Sequence, residues 1–242
     1  MFKVLKNLKE SWMSVIAIVL LLIVQAAGDL TLPDYTSKIV NVGIQNGGIE
    51  NVAPEVIRKS EMENLLIFTE DDDKILSSYE EISKENLENE EYEKLVKKYP
   101  ALENEVLYKI KKLSSSEQEE LDSLMTKPLM MLSITRQMPK EQLDKMLESV
   151  NQKIDDMQES ILEQAAIQEV KNEYKAIGMN TDNIQNQYII MAGLKMLGIS
   201  LIIMISAISI MCLSARVAAR LAKTLREKVF KKVYLNFENK SI

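Results

Sequence analysis

The stretch that most limits what this chain can fold into runs from Tyr188 to Phe237. From Met196 to Leu213 it holds 18 consecutive residues without a charge, about the minimum that crosses a hydrocarbon layer as a helix. No proline separates this run from its continuation, ARVAARLAKTLREKVFKKVYLNF. On a wheel of about 100° per residue, Val217, Ala218, Leu221, Ala222, Leu225, Val229 and Val233 share one face, and Arg216, Arg220, Lys223, Glu227 and Lys231 share the other. Lys228 and Lys232 fall on the apolar side, so that face is wet towards its end. The pattern predicts one rod that leaves a bilayer and continues in water as a basic, amphipathic helix for about twenty residues. A plain anchor needs no such extension.

Trp12 to Leu32 is a second apolar run. Trp12 stands at its start, where interfacial aromatics concentrate, and Pro33 reads as its outer stop. The first eleven residues carry net charge +2, Ser214 to Ile242 carries +6, and the whole chain carries −6. With Lys195 set aside, −15 remains for the region between. Basic ends and an acidic middle predict both termini in the cytoplasm and the middle outside the cell membrane. A cleaved signal peptide competes for the first run: three lysines, an apolar core from Val15 to Val24, and small Ala26 and Gly28 before Asp29. Against cleavage, the apolar run continues past that point to Leu30 and Leu32. Before it, Phe2, Leu5 and Leu8 alternate with Lys3, Lys6 and Lys9, the spacing of a short helix on a membrane surface or of a frayed basic flank.

The reading is therefore all-α, in three parts: an N-terminal amphipathic segment with the first transmembrane helix over 1–33, an extracytoplasmic helical insert over 34–187, and the second transmembrane helix with its cytoplasmic extension over 188–242. Apolar spacing at Ile39, Val40 and Ile44 predicts that a helix projects beyond the first span and ends at the glycine turn Asn46-Gly47-Gly48. Within the insert, helices are expected over Glu55–Phe68, Lys84–Tyr99 and Ala101–Leu113. Another is expected from a Ser116/Glu119 capping box to Met125, stopping before Pro128. The longest is expected from Pro139 to Ile177, with Leu143, Met146, Leu147, Val150, Ile154, Met157 and Ile161 as its apolar stripe and Gly178 as its stop. Asn180 or Thr181 then caps the last helix. Few β-branched alternations occur, so strands are not expected.

Chemistry is sparse. The chain has no histidine, which excludes Ser-His-Asp triads and His-ligated zinc, and its lone cysteine, Cys212, reads as packing inside a span. Asp71-Asp72-Asp73 lacks the alternation of a calcium loop and reads as a solvated turn. Neither G-x-x-x-x-G-K-[ST] nor G-x-G-x-x-G occurs. No residue is assigned a catalytic, cofactor-binding or metal-binding role, and the basic extension lies next to a membrane span rather than on a nucleic-acid surface.

Three segments carry a resemblance. LPDYTSKIVNVGI (Leu32 to Ile44), EYKAIGMNTDNIQNQYIIMAGLKML (Glu173 to Leu197) and SARVAARLAKTLREKVFKKVYLNF (Ser214 to Phe237) resemble the first two helices of a bacterial ABC exporter, the type that fuses a six-helix membrane domain to an ATPase. LREKVF is the most specific piece. The resemblance implies the first hairpin of such a domain, from a multidrug or lipid exporter with a large insertion between its first two helices. It implies membrane lipid, a second exporter half (homo- or heterodimeric) and an ATPase domain as partners, with ATP and Mg in the complete transporter and no cofactor in this chain. The family domain has six spans, whereas two are found here, which reads as a natural truncation, a split gene or an engineered fragment. A two-span sensor with an outer ligand domain shares the same layout, as does an anchored surface-binding protein. The intact mass of the membrane-extracted protein should retain residues 1–28. A chain beginning at Asp29 would make the first run a signal peptide.

Overall fold

Apolar side chains that repeat every third or fourth residue over thirty positions have only one regular way to satisfy their backbone without outside partners, the α-helix. The computed structural model describes residues 11–136 and 158–238, and helix predominates throughout. α1 spans Trp12–Lys38 and passes directly into a π-helical segment, Ile39–Gln45. Next come the short elements β1 (Val56–Arg58), α2 (Lys59–Leu66), α3 (Asp72–Ser77), β2 (Tyr79–Ile82), α4 (Asn89–Lys98), a 3-10 turn (Pro100–Glu103) and β3 (Leu107–Ile110). Three long helices complete the chain: α5 (Ser115–Arg136), α6 (Glu159–Ile177) and α7 (Thr181–Glu238). The amphipathic start through Lys9 and the stripe from Leu143 to Met157, Leu147 included, lie outside the described residues.

The chain divides into two compact units. One comprises Ile39–Ile190. The other comprises Met1–Lys38 and Met191–Ile242. In the second unit, two helices are long and apolar enough to cross a membrane. Their large apolar side chains face outward: Leu30 is 75% exposed and Met211 75% exposed. Gly28 lets the two helices approach closely, since a Cβ there would lie 2.6 Å from Ile203 Cγ1.

The first unit is not wholly helical. β3 lies between β1 and β2 in an antiparallel sheet of order β1-β3-β2, with Ile57 opposite Tyr108 and Glu80 opposite Lys109. This corrects two expected helices. Glu55–Phe68 begins as a strand and turns helical at Lys59, and Ala101–Leu113 becomes the 3-10 turn and β3. The segments are three or four residues long, too short for a period of two to show. Their pairing buries Val56, Ile57 and Leu107 completely against Met62, Leu65, Ile75, Tyr99, Met125 and Val170.

Two prolines also fail to stop helices. Pro33 lies inside α1 and Pro128 inside α5. An interior proline costs about 3 kcal/mol. Beyond Pro128, however, α5 buries Leu129, Met130, Met131 and Leu132, each worth roughly 1.5–3 kcal/mol, so burial outweighs the lost bond. The α5 capping box exists, two residues earlier than its expected place. The Ser114 N–H donates to Glu117 Oε2 at 2.7 Å, and the Glu117 N–H to Ser114 Oγ at 3.3 Å.

The glycine turn and the helix stop appear where the sequence puts them. Gly47 and Gly48 have φ of 65° and 83°. Gly178, φ 88°, closes α6 in a Schellman turn, with the Met179 N–H donating to the Tyr174 carbonyl at 2.9 Å. Asn180 caps α7 through Oδ1, which accepts the Asn183 N–H at 3.0 Å. A Cβ on Gly48 would lie 2.8 Å from both Ile184 O and Gln185 Cα, which are backbone atoms. On Gly178 it would lie 3.1 Å from the Pro100 side chain. Gly48→Ala should therefore lower the free energy of unfolding by about 2–3 kcal/mol, and Gly178→Ala by about 1 kcal/mol, as strained left-handed positions with and without a backbone clash. Thermal melts of the two variants check the order.

Candidate functional site

The backbone that leads from the glycine turn into β1 runs through the interior. Val52, Ala53 and Pro54 are buried, so every polar group of this strap requires a protein partner. Each partner comes from a distant element. The Ala53 N–H donates to Asp122 Oδ1 of α5 at 2.7 Å, and Gln118 Nε2 donates to the same oxygen at 3.0 Å. The Tyr79 hydroxyl donates to the Pro54 carbonyl at 2.9 Å. The Glu55 N–H donates to the Tyr174 hydroxyl of α6 at 2.7 Å. The Glu55 carboxylate accepts the Tyr99 hydroxyl at 2.8 Å and pairs with Lys98. Burial opposes ionisation of Glu55, but Lys98 and Tyr99 together hold its carboxyl below the ordinary value. Burial pushes Asp122 upward despite its donors.

At its end the strap meets a cluster of five charged side chains. Arg58 makes a two-pronged pair with Glu173 of α6, Nε to Oε1 at 2.9 Å and Nη2 to Oε2 at 2.8 Å, and its own N–H donates to Glu173 Oε1 at 2.9 Å. Glu61, one turn along from Arg58, lies 3.8 Å from its guanidinium. Arg136, at the end of α5, pairs with Glu61 Oε1, and its Nε stands 3.1 Å from Glu169 Oε1. Those two oxygens are buried, and among the described residues the Arg136 guanidinium is the one partner they meet. Asn172 Nδ2 donates to the other oxygen of Glu169 at 3.3 Å. Glu61, Glu169 and Glu173 are only 2–6% exposed. Three buried carboxylates thus share two guanidiniums. Burial raises the Glu169 carboxyl above its ordinary value, Arg136 and Asn172 work against this, and Glu61 and Glu173 add to it.

The strap and cluster join β1, which comes after the first long helix, to α6, which precedes the last one. Closer to the helices, the Gly43 carbonyl accepts Gln185 Nε2 at 2.9 Å. Gly43 has no side chain because Ile189 Cγ1 would lie 2.9 Å from its Cβ. Within the folded unit, the arriving and departing segments are therefore held at three levels. A shallow recess of about 270 Å³ opens beside them, lined by Gln45, Asn46, Gln164, Ile167 and Gln168.

Cys212 is a free thiol, exposed on α7. Asp71, Asp72 and Asp73 stand at the start of α3, exposed, with the Asp73 N–H donating to Asp72 Oδ1 at 2.9 Å. Among the described residues no group of three or more His, Cys, Asp or Glu is placed to hold a metal. On the basic extension, Leu225, Val229 and Val233 are all exposed, and Phe230 is 77% exposed. Reasoning from the sequence found none of the strap partners. Arg58 and Glu173 are 115 positions apart, and no local pattern links them. Comparison with protein-family models, with curated proteins and with solved structures gave no match.

Tyr174→Phe removes one oxygen and leaves the buried Glu55 N–H without a partner. It should destabilise the unit by about 1–3 kcal/mol, the cost of an orphaned buried donor. Urea denaturation followed by circular dichroism measures it. A loss confined to a few tenths of a kcal/mol would mean that water replaces the hydroxyl.

Proposed function

We propose that this chain is the first helical hairpin of the membrane domain of an ABC-type exporter, carrying a folded unit outside the membrane and a coupling helix inside it. The observation that carries the reading is α7. It runs unbroken over Thr181–Glu238, and beyond the apolar span it continues for about 25 residues, about 37 Å at 1.5 Å per residue. That extension is basic on one face and bears uncovered Val229, Phe230 and Val233. A helix this long transmits displacement, and an uncovered apolar face needs a protein against it. The resemblance of the three segments supports an ATPase as that partner, with a second exporter half completing the pathway.

On this reading the exported molecules are drug-like or lipid-like, and both chain ends are cytoplasmic. ATP and Mg act in the complete transporter, and this chain hydrolyses no nucleotide. Two helices do not enclose a water-lined path in a bilayer, so transport requires further spans.

The carboxamide-lined recess at Gln45, Asn46, Gln164 and Gln168 favours a second reading, a two-span sensor with a ligand domain outside. One experiment separates the two. A photo-crosslinker at Phe230, in membranes of the source cells, should capture a polypeptide that binds ATP through a phosphate loop. Capture of a signalling output domain would install the sensor. In a Cys212→Ala background, Ser115→Cys should react with an impermeant thiol reagent from outside and Lys231→Cys should not. The reverse pattern would overturn the topology. Purified chain in liposomes should show no ATP hydrolysis or dye efflux above empty liposomes.

A further inference from the structure

The five-residue cluster has a property that neither transport nor sensing requires. With all its groups ionised it carries three negative charges and two positive ones, the carboxylates buried and the Arg136 side chain 37% exposed at the edge. Glu173 is committed: both its oxygens serve Arg58, and one also accepts the Arg58 N–H. Arg136 must therefore divide its single charge between Glu61 and Glu169. An unshared buried carboxylate is expensive, and taking up a proton is the cheapest way to remove the charge.

Glu169 is the group best placed to do so. It is 2% exposed. Among the described residues its Oε1 meets only the shared Arg136 guanidinium, at 3.1 Å, and its Oε2 has only the long bond from the neutral amide of Asn172. Among the described residues, the charged groups that face it are Arg136 from α5, Glu61 from α2 and Glu173 from α6 itself. Arg58 of β1 faces Glu173 and Glu61, and Glu105, in the loop before β3, also acts on Arg58.

We propose that this cluster is a proton-operated latch: uptake of one proton at Glu169 leaves two carboxylates for two guanidiniums and locks β1, α2, α5 and α6 together, and loss of that proton loosens them. With the proton in place, Arg136 is free to serve Glu61 alone. Without it, two carboxylates repel one another across one guanidinium. Linkage sets the direction. The folded unit holds the Glu169 proton more tightly than the unfolded chain does. The stabilisation is fully present below the ordinary value of 4.5 and is lost as pH rises through the raised folded value. The latch thus tightens as pH falls and slackens as pH rises through that raised value. It acts on the α6 helix that leads into α7 and on the strap that comes after α1. The latch is a property of the folded unit and stands independently of the exporter reading.

The test is hydrogen exchange read by mass spectrometry on the full chain in detergent micelles, from about pH 5 to about pH 8, with exchange times scaled for the intrinsic chemistry. Peptides covering Val56–Leu66 and Glu159–Ile177 report the latch, and peptides covering α4 serve as the internal reference. In the wild type, protection of the latch peptides should fall relative to α4 as pH rises, by at most roughly tenfold for each pH unit by which Glu169 is held above its ordinary value, since part of the fall comes below about pH 5. Glu169→Gln keeps the shape and the Asn172 contact without the charge, so it should be as well protected at about pH 8 as the wild type is at about pH 5, with no slope. Glu173→Gln should lose protection at every pH, because it breaks the Arg58 pair. A wild-type protein whose latch peptides show no fall would overturn the proposal whatever the variants do. So would a Glu169→Gln variant that keeps the wild-type slope or loses protection at every pH as Glu173→Gln does.

Discussion

A buried strap of backbone cannot stand alone, and most of the folded unit is arranged to meet that constraint. Asn51 to Arg58 crosses the interior between the glycine turn and the sheet. The N–H and C=O groups it presents there would each cost free energy if left unpaired. β1 pairs with β3 over three residues, and the Ile110 N–H donates to the Glu55 carbonyl just before it at 3.0 Å. The remainder is satisfied by side chains: Asp122, Tyr79, Tyr174 and Glu173. These come from three elements, so the strap draws α5, β2 and α6 to one place. The hydrophobic core then fills the space between them, with Val56, Ile57, Met125 and Val170 fully enclosed.

This arrangement accounts for the spread of charge as well as of shape. The net −15 of the middle region is mostly solvated, as on α3 and α4, where acids lead and lysines come later in accord with the helix dipole. A small part is buried where the strap ends. There Arg58 and Arg136 are outnumbered by Glu61, Glu169 and Glu173. Buried pairs of this kind add little net stability, because desolvation offsets the attraction. Their value is in holding particular elements in a particular relation. Glu173 does so by joining β1 to α6 in three bonds, and Glu169 makes the joint sensitive to a proton.

The apolar helices obey a different constraint. Their side chains face outward, and their close approach depends on Gly28, where any Cβ would collide with Ile203. Along the extension of α7, Val229, Phe230 and Val233 are exposed, while Arg216, Arg220, Lys223 and Lys231 share another face.

What the amino-acid order determined by itself is what depends on local patterning. The two apolar runs, the glycine turn at Asn46-Gly47-Gly48, the stop at Gly178, the Asn180 cap and the amphipathic continuation after Leu213 all rest on residues within one or two turns of each other, and all are legible in the chain. The capping box was legible in kind and misplaced by two residues, because Ser114, Ser115 and Ser116 offer the same hydroxyl to successive registers. What only the tertiary structure decided depends on partners distant in the chain. β1 and β3 are too short to show a period, and exist because they pair with each other although Val56 and Lys109 lie far apart in sequence. Pro33 and Pro128 carry a local stop signal, but burial of the side chains beyond Pro128 overrides it there. The strap and the charge cluster were invisible for the same reason: Arg58 reads as one more surface arginine until Glu173, 115 positions away, is folded against it.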